Sequence, residues 1–336
     1  MKFLKPLFLN TAFVYLSSII LVLFSEKLYW YPPNSNILGL AVFYSIPTFF
    51  LLWAISYFDV RQIAPLFLAA ALFGLVTEGV LTSIIYEAGL FDITRFAYTS
   101  LGWHGIISVM FGWYFLRKLL LRGKLLPIIG WGALVGMFWG FWSLVYWLPE
   151  NLSDPELYTD GLGIWPVEKF AAFALGITVI LAVAHWLLGK WFWQVSFKPN
   201  KLAFSAMLLI AAAYFSLTVI PVAPIIGMIK FSTLAGIILW GLRRAHKKQP
   251  AGKLIFEQLQ GEIQPLPLVG LFAMPLAAIA VYGLATIIHP SETDIRLLTW
   301  DITVTIQTFL GGGAFLAAFI AAVFNHHLRR QKVEPS

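Results

Sequence analysis

Three ionisable residues fall inside long apolar stretches of this chain: Glu78, His104 and Lys230. A titratable group at membrane depth is costly to keep, so it marks function by default. A carboxyl, an imidazole and an amine are tools for moving protons and for stabilising negative charge. Glu78 would serve as general acid or base. His104 would be its partner in proton transfer, or a metal ligand. Lys230 would hold an anionic headgroup or a developing negative charge.

Each of the three sits in a polar stripe at helical spacing. Gly74, Glu78 and Thr82 share one face, which Tyr86 extends; Ser100, His104 and Ser108 share another; Gly227, Lys230 and Thr233 make a third. Side chains three or four apart lie on one helix face. A 1.5 Å rise per residue puts all three ionisable groups roughly 9–12 Å below the same membrane boundary. Thr303 and Gln307 lie at similar depth in the last apolar stretch, with Asp301 nearer its mouth, and Tyr282 does so in the stretch before it. Stripes of this kind avoid acyl chains, so they imply a shared cavity. Thr82, Ser108, Tyr282, Asp301 and Gln307 are its expected substrate-binding residues.

The same residues have plainer readings. Glu78 and Lys230 would neutralise each other as a buried pair, and His104 would be a hydrogen-bonded packing residue. Glu87, Glu168 and Asp301 fall at the water boundary, where a charge needs no partner. His104, Glu78, Asp301 and Glu168 include the donor types a divalent ion accepts. They come from four separate stretches without a local ligand motif, so metal and cofactor stay undetermined. His185 lies too far along its stretch to join His104, and His326-His327 belongs to a basic tail. The chain has no cysteine, which excludes disulfides, thiolate metal sites and a cysteine nucleophile. Walker A, GxSxG and GxGxxG fingerprints are absent from any suitable strand-to-helix setting.

Positioning such residues falls to membrane-spanning helices. Hydrophobic residues make up 60% and charged residues 12% of the 336, against about 25% charged in a soluble domain. A bilayer core needs roughly 20 apolar helical residues. Spans are expected at 7–24, 37–57, 65–86, 98–120, 125–147, 168–188, 203–220, 225–242, 267–288 and 299–324, an all-α bundle of about ten spans forming a single integral membrane domain. Pro221-Val222-Ala223-Pro224 separates the seventh from the eighth, because two prolines favour a turn. The first run lacks a small-residue cleavage site at Leu23-Phe24-Ser25-Glu26, so it reads as a retained span rather than a signal peptide.

Lysine and arginine set the orientation. One side carries 18 of them and the other only Lys27, Arg95, Lys169 and Arg296, with Lys230 inside a span. Both termini are therefore expected in the cytoplasm, and the loop bearing Glu150, Asp154, Glu156 and Asp160 outside. The formal charge of +7 is dispersed in short clusters, without the basic aromatic face of a nucleic-acid binder. The expected setting is a cell membrane, with the bilayer itself as partner. Gly132, Gly136 and Gly140 recur every four residues and would let a neighbouring helix approach closely. Several of the 14 tryptophans, such as Trp186, Trp191 and Trp240, fall at expected interfaces.

Three functions compete. The first is an intramembrane enzyme working from the non-cytoplasmic side on a lipid or isoprenoid-like substrate. The second is a proton-coupled carrier of a small or amphipathic solute. The third is a non-catalytic assembly subunit. The cytoplasmic halves of the same stretches, such as Pro65 to Leu72, are wholly apolar. A carrier needs access from both sides, so this one-sided polarity ranks the enzyme first and leaves the substrate open.

Overall fold

A computed structural model describes residues 4–28, 36–87, 89–146, 166–194, 197–247, 252–288 and 292–324. These residues form helices and no strands. Helix α1 (Leu4–Val22) runs on as a π-helical turn over Leu23–Lys27, α2 is Ile37–Tyr57, and α3 (Ile63–Val76) likewise continues as π-helix over Thr77–Leu81. Helix α4 is π-helical over Phe96–Phe115 and α-helical over Leu116–Arg122. Then come α5 (Leu125–Trp142), α6 (Val167–Leu187, with a π turn Leu188–Phe192), α7 (Lys201–Thr218) and α8 (Pro224–His246). Helix α9 spans Pro265–Ile288 and α10 spans Glu292–Phe324.

Nine helices among the described residues are long and apolar enough to cross a membrane. Helix α4, the fourth expected span, is not one of the nine; Thr99, Ser100, His104 and Ser108 make it more polar than its neighbours. The acidic loop residues Glu150, Asp154, Glu156 and Asp160, together with His326 and His327, lie outside the described residues.

Local chemistry sets the helix ends. Asn36 caps α2 by accepting from the Leu38 and Gly39 amides, both at 3.1 Å, and Asn200 caps α7 by accepting from the Ala203 amide at 2.8 Å. Gly123 takes the left-handed conformation (φ 68°) that turns α4 into α5. Pro224 opens α8, where its missing N–H costs nothing, and residues 219–223 break the chain between α7 and α8 as the two prolines lead one to expect.

Two boundaries beside the candidate residues differ from expectation. The first helix extends to Lys27 rather than ending near Phe24, and the third stops at Leu81. Thr82 is extended (φ −125°, ψ 173°), which ends the helix before Tyr86. Tyr86 therefore lies in a separate 3₁₀ turn, Ile84–Tyr86, and its hydroxyl donates back to the Gly79 carbonyl at 2.7 Å.

Helix α3 sits at the centre, with 89% of its apolar window buried. It packs on α2, α4, α8 and α10. Gly74 makes this possible: a Cβ there would stand 2.0 Å from the Ser100 carbonyl oxygen, so the α3 and α4 backbones touch. Gly136 does the same for α5 against α9, where a Cβ would stand 2.0 Å from the Met274 oxygen. On the periphery, large apolar residues such as Leu126, Leu209, Leu217 and Phe309 stay exposed, as lipid-facing positions do.

Candidate functional site

Three π-helical segments meet at one end of the bundle, and each brings polar side chains to the junction. The end of α1 contributes Ser25 and Glu26, the end of α3 contributes Glu78, and α4 contributes His104 and Ser108. A π turn leaves a backbone carbonyl without its usual partner and rotates the following side chains, and such turns recur at functional sites. Here they swing side chains from two helix ends onto the face of a third helix.

The central contact is between Glu78 Oε1 and His104 Nε2, 2.5 Å apart. Both residues are shielded, at 7% and 2% exposure. The other imidazole nitrogen, Nδ1, lies 3.1 Å from Ser25 Oγ, and the Ser25 hydroxyl donates to Ser108 Oγ at 2.9 Å. Thr82 pins the second Glu78 oxygen, donating to Oε2 at 3.1 Å. The result is a continuous chain of side chains: Thr82, Glu78, His104, Ser25, Ser108. Trp103 fixes the Ser25 backbone by donating its indole N–H to the Ser25 carbonyl at 3.0 Å. The rings of Tyr44 and Phe73 flank the imidazole, with centroids 6.4 and 5.9 Å away.

A second carboxyl borders this chain. The Tyr44 hydroxyl donates to Glu26, and Glu26 lies within electrostatic reach of both His104 and Glu78. Among the described residues, no three histidine or acidic side chains gather closely enough to hold a metal ion. Glu168 and Asp301, the other proposed donors, are exposed on α6 and α10.

Four of the expected site residues thus come together: Glu78, Thr82, His104 and Ser108. The others do not. Lys230 is likewise buried, but its ammonium donates to the carbonyls of Gly89, at 2.8 Å, and Asp92, at 2.5 Å. It ties α8 to the loop between α3 and α4, and no ion pair joins it to Glu78 among the described residues. In that loop, outside the spans, the Thr94 hydroxyl and amide hold the Asp92 carboxyl below its usual range. Tyr282 is buried elsewhere, its ring stacked on Phe170 at 4.3 Å. Gln307 is buried against Gly102, on the face of α4 turned away from His104. It lines a cleft of about 260 Å³ walled by Phe24, Ile106, Leu134 and Phe138. Neither end of its amide has a hydrogen-bond partner among the described residues.

No protein-family model, no curated protein and no solved structure matches this chain. Its chemistry has to be read from the geometry alone.

Sequence reasoning missed Ser25, Glu26 and Tyr44. The signal for the first two is in the sequence, as Ser25-Glu26-Lys27 directly follows the first apolar run and Glu26 is an acid beside it. Ending the first span at Phe24 leaves both outside the apolar stretch. Tyr44 carries no such signal within an apolar helix.

As a unit, the cluster can shuttle a proton. An ionised carboxylate only accepts hydrogen bonds, so with Glu78 ionised the imidazole carries its proton on Nε2. Nδ1 is then a free base 3.1 Å from the Ser25 oxygen, whose proton is directed to Ser108 Oγ and reaches Nδ1 by rotation of the hydroxyl. The imidazolium formed when Nδ1 takes a proton is stabilised by Glu78 directly opposite.

Proposed function

We propose that this chain is an intramembrane enzyme acting on a lipid or isoprenoid-like substrate, with His104 as general base and acid and Glu78 as the group that orients and charges it. The observation that carries this reading is the 2.5 Å Glu78–His104 contact, shielded from water, with a hydroxyl on the opposite imidazole nitrogen. A base oriented by a carboxylate and facing a polarisable proton is the usual kit for general acid–base catalysis. Burial strengthens each of these interactions by lowering the local dielectric.

A proton-coupled carrier would use the same pair. Against it stands the other half of α3, where Pro65 to Val76 are apolar and buried, so α3 itself offers no polar continuation from Glu78. An assembly subunit would have no use for a buried carboxylate–imidazole pair that apolar residues of equal size could replace.

The test is conversion of lipid. Purified protein is placed in vesicles made from a bacterial lipid extract supplemented with polyprenols, and the lipids are followed by mass spectrometry. The wild-type chain is expected to deplete at least one species and generate another, and Glu78→Gln is expected to abolish this while unfolding at the same temperature. An equally active Glu78→Gln protein would remove the mechanism. Gradient-dependent uptake without lipid conversion would favour the carrier.

A further inference from the structure

We infer that Ser25 is a nucleophile and that the substrate class is an acyl ester, so that Ser25, His104 and Glu78 form a serine-hydrolase relay inside the membrane. This rests on the acid–base reading of His104 and Glu78 above and extends it to covalent catalysis. The geometry is that of an activated nucleophile: hydroxyl and base within hydrogen-bond reach, and the base oriented by a third group. Ser25 Oγ to His104 Nδ1 is 3.1 Å, and His104 Nε2 to Glu78 Oε1 is 2.5 Å. In the familiar arrangement the carboxylate holds Nδ1 and the serine faces Nε2. Here the two nitrogens are exchanged, which leaves the acid–base role of the ring unchanged.

Other observations point the same way. Ser25 sits in a π-helical turn, where its backbone is held by the Trp103 indole rather than by a regular helical ladder alone. Phe24, the residue before Ser25, forms a wall of the apolar cleft between α4, α5 and α10. The cleft lies on the face of α4 turned away from His104, so an acyl chain held in it would have to pass Phe24 to reach Ser25.

The step balances as follows. Ser25 Oγ attacks the ester carbonyl carbon as its proton passes to His104 Nδ1. The carbon–oxygen bond to the alcohol breaks, and the imidazolium gives that proton to the departing alkoxide. An acyl group is left on Ser25. Water, or the hydroxyl of an acceptor lipid, then attacks the acyl carbon while His104 again takes and returns the proton, which regenerates the serine.

The experiment uses the full chain in lipid nanodiscs with an alkyl fluorophosphonate, followed by peptide mapping. The expected result is one adduct per chain on Ser25, absent from Ser25→Ala and His104→Gln, and undiminished in Ser143→Ala, whose buried hydroxyl only donates to the Trp139 carbonyl. Because the chain has no cysteine, Ser25→Cys supplies a sole thiol and a second readout. At neutral pH it should be alkylated at least about tenfold faster than the thiol of Ser143→Cys, since a neighbouring imidazole favours the thiolate, and His104→Gln should erase the advantage. Lipid conversion that survives in Ser25→Ala but not in Glu78→Gln would overturn the nucleophile and leave the acid–base reading standing. Conversion that survives in Glu78→Gln would sink both. Absence of any Ser25 adduct, with a thiol at that position no faster than the control, would overturn the nucleophile whatever the lipids do.

Discussion

Arg117 and His104 lie on the same helix, α4, and both are almost wholly shielded, at 0% and 2% exposure. Their partners are of different kinds. The Arg117 guanidinium donates to three main-chain carbonyls, from Nε to Leu259 at 2.7 Å, from Nη2 to Gly261 at 3.1 Å and from Nη1 to His185 at 3.4 Å. Its remaining face lies over the Trp193 ring at 4.0 Å. His104 and Glu78 bond instead to each other and to the hydroxyls of Ser25 and Thr82. A carbonyl has no second protonation state, so the Arg117 site is a fixed staple joining α4, α6 and the chain after Lys253. Every member of the His104 chain can pass or receive a proton. Buried charge alone therefore does not identify a site in this molecule; the chemistry of its partners does.

That contrast can be broken by mutation, most sharply at His104. His104→Gln should lower lipid conversion by about 10²–10⁴-fold, the usual worth of a positioned acid–base group, with the unfolding temperature near that of the wild type. Arg117→Met should do the reverse. Three buried carbonyls lose their donor, at roughly 1–3 kcal/mol each in the worst case, so a destabilisation of about 3 kcal/mol is expected in thermal unfolding, with conversion per folded molecule intact. Gly136→Ala should cost about 1–3 kcal/mol by forcing α5 away from α9, again without touching conversion per folded molecule. The smallest effect is expected at Lys230, which resembles Arg117 in donating only to carbonyls. Lys230→Met should cost about 1–2 kcal/mol, show as faster proteolysis between Thr82 and Arg95, and lower conversion less than His104→Gln does. If Lys230→Met matched His104→Gln in lost conversion, the contrast between carbonyl and side-chain partners would fail.

The sequence exposed part of this arrangement for a physical reason. Glu78 and His104 stand out because charge is rare among apolar residues, and the break at Pro221 and Pro224 stands out because proline cannot donate. Position along an apolar stretch is also read from the sequence, and it groups Lys230 with them. Direction around the axis is not. It depends on the turn geometry, and the π-helical stretches at Leu23–Lys27, Thr77–Leu81 and Phe96–Phe115 depart from the 3.6-residue period on which stripes are read. Hence Ser25 and Glu26 join the site although their span was ended too early. Tyr282 and Gln307, on regular α-helices, point elsewhere too, toward Phe170 and Gly102. Tyr44 could be found only from its neighbours in space.

The most direct test measures lipid conversion per folded molecule and unfolding temperature together, for Glu78→Gln and Arg117→Met in identical vesicles. The expected pattern is crossed, with Glu78→Gln at least about 100-fold slower yet stable, and Arg117→Met unstable yet active where folded. Contradiction would be a Glu78→Gln protein that unfolds early while its folded fraction converts lipid at the wild-type rate.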